Sequence, residues 1–287
     1  MSRWFLQCLR FWVLSLGLPL AAAVAITMSP TTATVNQGAT KQFTATVTGS
    51  TNTGVTWTVT GTGNGTVTTT GLYTAPIKAG TYTLTATSKA DTTKKATATI
   101  TVPALTISVS PSTATVVQGG TRTFTATVTG AANTGVTWSI STGGGTVNTS
   151  GLYTAPMTAG TYILTATSKA ASTKKATATI TVPAITIAVS PTTAAVVQGG
   201  TQAFTATVTG AANTAVTWSV TAGGGSINAS GLYTAPATAG TYTVTATSVA
   251  STSKKATAAV TVAAGPTITA FTAAKSPITA GTGTTLT

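Results

Sequence analysis

The sequence predicts an all-β fold built from tandem two-sheet sandwich domains, three complete and a fourth begun. Three observations predict it. Sequence landmarks recur every 80 residues, apolar residues alternate with threonine inside each repeat, and helix-type sequence is almost absent after the first two dozen residues.

The repeat comes first, because it sets the domain count. Trp57, Trp138 and Trp218 lie 81 and 80 residues apart. Gly-Leu-Tyr-Thr-Ala-Pro recurs at 71–76, 151–156 and 231–236, and lysine pairs recur at Lys94-Lys95, Lys174-Lys175 and Lys254-Lys255, all spaced by 80. Solenoid units run to roughly 20–50 residues, so a period of 80 describes a small domain with its own core.

The alternation sets the secondary structure. In the second copy Phe124, Ala126 and Val128 share one face of a strand whose other face is Thr123, Thr125, Thr127 and Thr129. Val136, Trp138 and Ile140 do the same, followed by Tyr162, Leu164 and Ala166, then Ala178, Ile180 and Val182. Apolar-in, threonine-out alternation at period two marks antiparallel sheets with one wet face. Threonine, about a quarter of the chain, is β-branched and favours strands. Gln118-Gly119-Gly120 and Gly143-Gly144-Gly145 punctuate the strands as turns. Roughly seven short strands per copy predict two packed sheets.

These residues resemble the immunoglobulin sandwich, which places a cysteine on strand B, a tryptophan about a dozen residues later on strand C, and Tyr-x-Cys on strand F. Ala45, Ala126 and Ala206 each precede the tryptophan by 12 residues, and Tyr82-Thr83-Leu84, Tyr162-Ile163-Leu164 and Tyr242-Thr243-Val244 stand at the strand F motif. The resemblance implies tandem immunoglobulin-like β-sandwich domains in which an alanine and a leucine or valine replace the disulfide. It also implies that the strand F tyrosine bonds backbone at a corner. More closely, Ser110–Val116, Gly119–Val128, Val136–Ser139 and Gly151-Leu152-Tyr153 resemble bacterial Ig-like domains of group 2 over about residues 24–263. Members of that family occur in surface adhesins and as spacers in large exported proteins.

The expected organisation is a signal peptide at 1–23, Ig-like domains at 24–103, 104–183 and 184–263, and a linker with the truncated start of a fourth at 264–287. Pro103-Ala104 and Pro183-Ala184 are two-residue linkers, and a proline-fixed φ leaves little freedom, so a semi-rigid rod is expected. The sequence ends where strand B of the fourth copy should begin, and downstream domains are expected to be missing.

The leader reads as an export signal. Arg3 and Arg10 supply a positive region, Phe11–Leu20 a short apolar run, and Ala21-Ala22-Ala23 and Ala23-Val24-Ala25 are both small-x-small sites, so cleavage falls after Ala23 or after Ala25. As a membrane anchor the run falls short of the ~20 residues a span needs. No membrane span is expected in the mature chain, and localisation is secreted or cell surface.

The inventory of reactive groups is thin. The chain has no histidine, one carboxylate side chain (Asp91) and one cysteine (Cys8). A Ser-His-Asp triad, a carboxylate pair, a zinc site and a carboxylate-rich calcium site each need more than that. No enzymatic activity, catalytic residue, metal or cofactor is expected. Charged residues make up 5% of the chain against roughly 25% in ordinary domains, and 14 of them are basic. Loss of Arg3 and Arg10 with the leader takes the net charge from +13 to +11.

That charge supplies the candidate contacts: Lys94, Lys95, Lys174, Lys175, Lys254 and Lys255, with Lys89 and Lys169 nearby, as a repeated basic stripe for weak binding of an extracellular glycan or anionic surface. The ordinary reading is that they keep a loop and an edge strand soluble. No specific nucleic acid is expected. The tryptophans share the parity of core residues, whereas Tyr73, Tyr153 and Tyr233, beside glycines, are better candidates for exposed aromatics, although even there a structural role is favoured, with the ring buried and the hydroxyl bonded. Outward Thr-x-Thr ladders could order water, but twisted sheets spoil a flat lattice. Asp91, aligned with Ala171 and Ser251, reads as a plain loop residue, and Asn64, Asn148 and Asn228 as turn residues. The function expected is a structural spacer or stalk within a larger surface or secreted protein, or alternatively an adhesin binding glycan or anionic matrix.

Overall fold

The computed structural model of the chain describes residues 22–61 and 63–265. All but the last two residues of the expected leader, and all but the first two of the expected linker and fourth-unit start, lie outside the described residues. Among the described residues every regular element is a strand.

The first unit contains nine strands: β1 (Ala25–Ser29), β2 (Thr32–Thr34), β3 (Thr40–Gln42), β4 (Thr44–Thr48), β5 (Val55–Thr60), β6 (Thr66–Val67), β7 (Leu72–Thr74), β8 (Gly80–Ser88) and β9 (Lys95–Val102). The second unit repeats them from Thr106–Ser110 to Lys175–Val182, and the third from Thr186–Ser190 to Lys255–Ala263. One layer runs β2-β9-β8-β5, with β2 parallel to β9 and the other pairs antiparallel. The facing layer pairs β1 with β4, and β3 with β7, which pairs with β6.

β3 and β4 are separated only by Phe43. The sequence predicts an unbroken strand here, and the break has a local cause. The Phe43 ring is fully buried, and its N–H leaves the ladder to donate to Gly71 O at 3.0 Å. Phe124 and Phe204 do the same with Gly151 and Gly231. These glycines need their positive φ of 83°, and a Cβ on Gly71 would fall 2.4 Å from the Phe43 carbonyl oxygen.

The core of each unit lies between the layers. Tyr82, Leu84 and Ala86 point inward from β8, and Ala98, Ile100 and Val102 from β9. Their threonine neighbours face outward or lie only part-buried. Leu84, Leu164 and Val244, at the position of the second cysteine, are fully buried, and Ala45 and Ala206 pack against the same cores. Burial at about 25 cal/mol per Å² of apolar surface does the work of the absent bridge.

The aromatic residues divide by depth. Tyr73, Tyr153 and Tyr233, the candidates for exposed aromatics, are fully buried, which is the structural role favoured for them. Each packs edge-on against the phenylalanine of its unit, with ring centroids 6.3–6.5 Å apart. Trp57, Trp138 and Trp218 face the core as expected but are only half-buried. Conversely, the corner tyrosines bond as the resemblance implied: Tyr82 donates to Lys78 O at 2.9 Å, and Tyr162 and Tyr242 to Thr158 O and Thr238 O at 3.1 Å.

Candidate functional site

The most specific polar arrangement lies where one unit meets the next. Gln37 follows β2 and is aimed at the second unit. Its N–H donates to Gly130 O at 2.9 Å, and its carbonyl accepts the Ala132 N–H at 2.9 Å. Its side-chain Nε2 donates to Pro103 O of the linker at 2.9 Å. Gln118 repeats all three bonds with Gly210, Ala212 and Pro183, each at 2.9 Å. The two glutamines form parallel bridges with Ala131 and Ala211.

Each glutamine therefore grips both the linker and the next domain. The receiving corner is shaped for it. Gly130 and Gly210 have φ of 77° and 78°, and an added Cβ would sit 2.3 Å from the carbonyl oxygens of Ala104 and Ala184. Beneath the corner, Leu105, Val128 and Ala131 form a small buried cluster, as do Ile185, Val208 and Ala211. Sequence reasoning read Gln118-Gly119-Gly120 only as a turn. The available signal was the recurrence of Gln37, Gln118 and Gln198 at the repeat spacing.

The third unit differs in two ways: its linker residue is alanine, and no described residues follow it as Gly130–Ala132 and Gly210–Ala212 follow the other two. Ala263 stands where the others have Pro103 and Pro183. Proline has no N–H, so it cannot extend the ladder. With alanine the last strand runs on to residue 263, and its parallel partner extends to Val197. Gln198 then donates its N–H to Ala263 O at 3.2 Å and its Nε2 to Ala237 O at 2.7 Å, while Oε1 accepts the Gly265 N–H at 3.1 Å. The group that docks a following unit elsewhere is turned back onto its own unit.

The lysine pairs occupy the turn between β8 and β9 and its counterparts, with all six side chains exposed. Ser88 N–H donates to Lys94 O and Lys94 N–H to Asp91 O, so the lysine backbone closes the turn. Lys95 begins β9, an inner strand whose outer flank β2 covers only at 99–101, so the lysine end is left open on that side. The structure thus sets one pair at one end of each unit. Lys174 lines a cleft of about 470 Å³ between the first two units, together with Gln37, Ile77 and Leu105.

Asp91 is held inside its turn: Oδ1 accepts from Thr93 N at 2.9 Å and Thr93 Oγ1 at 2.6 Å, and these bonds hold its carboxyl below the usual range. Asn148 and Asn228 accept backbone N–H bonds within their own turns. Among the described residues no group of three or more His, Cys, Asp or Glu could hold a metal, and no helix is long and apolar enough to cross a membrane.

Residues 22–100 match the bacterial Ig-like domain (group 2) family model. No curated protein matches the chain. Similar solved structures include the S-layer protein rSbsC, at 17% identity and a TM-score of 0.35 over 85% of this chain and 40% of that one. The Escherichia coli adhesin FdeC is 19% identical with a TM-score of 0.28, over 85% and 98%. Invasin, described as a bacterial integrin-binding protein, is 18% identical with a TM-score of 0.24, over 83% and 59%. At these values the likenesses carry no functional inference. The family match and the strand order agree: residues 22–100 match the model of the bacterial Ig-like domain of group 2, and the two units that follow repeat their strands.

Proposed function

We propose that the chain is a non-enzymatic extracellular structural spacer, a stalk whose successive Ig-like domains are docked rather than loosely strung. The observation that carries this reading is the junction glutamine. Gln37 and Gln118 each commit three hydrogen bonds to the linker and the next unit. A two-residue linker alone limits swing, and these bonds oppose the bending and twisting that remain. Small-angle scattering tests the reading. A Gln37→Ala, Gln118→Ala double variant is expected to have a broader distribution of interatomic distances than the parent, with the individual units still folded. Identical distributions would remove the basis for a docked stalk.

A second reading is favoured by charge. The exposed pairs Lys94-Lys95, Lys174-Lys175 and Lys254-Lys255 sit in a chain with one carboxylate side chain, so they attract acidic surfaces. Such binding is weak and fades as salt shortens the screening length to about 8 Å at physiological strength. Retention on an anionic glycan resin that survives 0.5 M salt would contradict a purely electrostatic contact.

A further inference from the structure

A shallow groove recurs beside each tryptophan, and two of the three copies carry a cation. In the second unit it has a volume of about 270 Å³ and is lined by Val136, Trp138, Val147, Asn148, Thr149 and Lys169. The first unit matches it with about 280 Å³ around Trp57, Val67 and Lys89. The third, again about 280 Å³, has Trp218 and Ile227 but no lysine.

The lysine is seated by a glycine. Lys89 and Lys169 donate their N–H to Gly54 O and Gly135 O at 2.9 Å, and a Cβ on either glycine would fall 3.0–3.1 Å from the lysine Cδ. The bare glycine is thus a shelf for the lysine stem. In the third unit both members change together: Val249 stands for the lysine and Ala215 for the glycine, with the same backbone bond at 2.9 Å.

We propose that the first and second units each bind one acidic sugar residue of a uronate polysaccharide in this groove, and that the third does not. The half-buried indole and the neighbouring valine offer an apolar wall to the C–H face of a pyranose ring. The Lys89 or Lys169 ammonium meets its carboxylate, and no carboxylate of the groove repels it. The volume lies below the ~300 Å³ of small-molecule pockets, which suits one ring of a polymer. Each site is weak alone, and two on one chain reinforce each other on a polymeric ligand. This goes beyond the spacer reading and stands whether or not the junctions are rigid.

The test is fluorine NMR of the full chain labelled with 5-fluorotryptophan, titrated with polygalacturonate, with polyphosphate (charge without a sugar face) and with dextran (a sugar face without charge). Polygalacturonate is expected to shift Trp57 and Trp138 and leave Trp218 in place. Lys89→Met with Lys169→Met should weaken this at least fivefold, whereas Lys94→Met with Lys174→Met should leave the indole shifts intact. Ala215→Gly with Val249→Lys should add a Trp218 shift, a gain that misfolding cannot mimic. Equal shifts at all three indoles, the same shifts with polyphosphate or dextran, or no shift at all would overturn the proposal.

Discussion

Gln118 reaches across the linker to Pro183: its Nε2 donates to the proline carbonyl at 2.9 Å while its backbone bonds Gly210 and Ala212 of the next unit. The pairing ties two functions together. Proline, with no N–H to give, cannot extend the ladder, and the glutamine beside it is the docking group.

Pro183→Ala should therefore loosen the second junction without unfolding either domain. The strand Thr113–Thr115 is expected to lengthen toward Val117, as its counterpart Thr193–Val197 does beside Ala263. The Gln118 N–H then turns to residue 183 instead of Gly210. Amide chemical shifts and hydrogen exchange at Val117, Gln118 and Ala212 read this directly; an unchanged Ala212 amide would refute it.

Gly130→Ala and Gly143→Ala separate backbone strain from collision. Both glycines have positive φ, at 77° and 75°. An alanine at 143 meets nothing within 4 Å, so its cost is the left-handed conformation, about 1 kcal/mol. At 130 the Cβ also strikes the Ala104 carbonyl. Thermal denaturation should rank Gly130→Ala as the more damaging by about 1–3 kcal/mol.

The buried tyrosines should respond oppositely to loss of their hydroxyl. Tyr73 donates to Asn64 O at 3.0 Å, in a turn one residue longer than in the other units. The hydroxyls of Tyr153 and Tyr233 are buried and have no partner among the described residues. Tyr73→Phe should cost about 0.5–1.5 kcal/mol, while Tyr153→Phe and Tyr233→Phe should be neutral or stabilising in denaturant titrations.

The same burial gives a pH dependence. Burial, with a smaller contribution from Tyr82, pushes the Tyr73 phenol up to about 12, and burial raises Tyr153 and Tyr233 as well. The folded state thus favours the neutral phenol. Its contribution is fully present below the unfolded value near 10 and is lost as pH climbs through 12. The melting temperature should fall over that window, and less steeply in Tyr73→Phe.

The fold was readable because its signals are local and repeated. Period-two alternation along Tyr162, Leu164 and Ala166 needs no tertiary knowledge, and the 80-residue spacing multiplies every clue. The depth of Tyr153 was harder to read, because its strand, Leu152–Thr154, is three residues long between glycine and proline, too short to reveal a parity. The tryptophans had the right parity, but a glycine of the facing layer (Gly71, Gly151 or Gly231), which has no side chain to offer, stands against the indole. The junction was hidden for another reason. A Gln-Gly pair spells a turn, and the groups that give Gln118 its role lie on the linker and in the following repeat.

Residual dipolar couplings measured across residues 24–263 test the docked stalk most directly. The account predicts that all three units fit one common alignment tensor, and that Gln37→Ala with Gln118→Ala splits it into separate ones. Three independent tensors in the unmodified chain would contradict it.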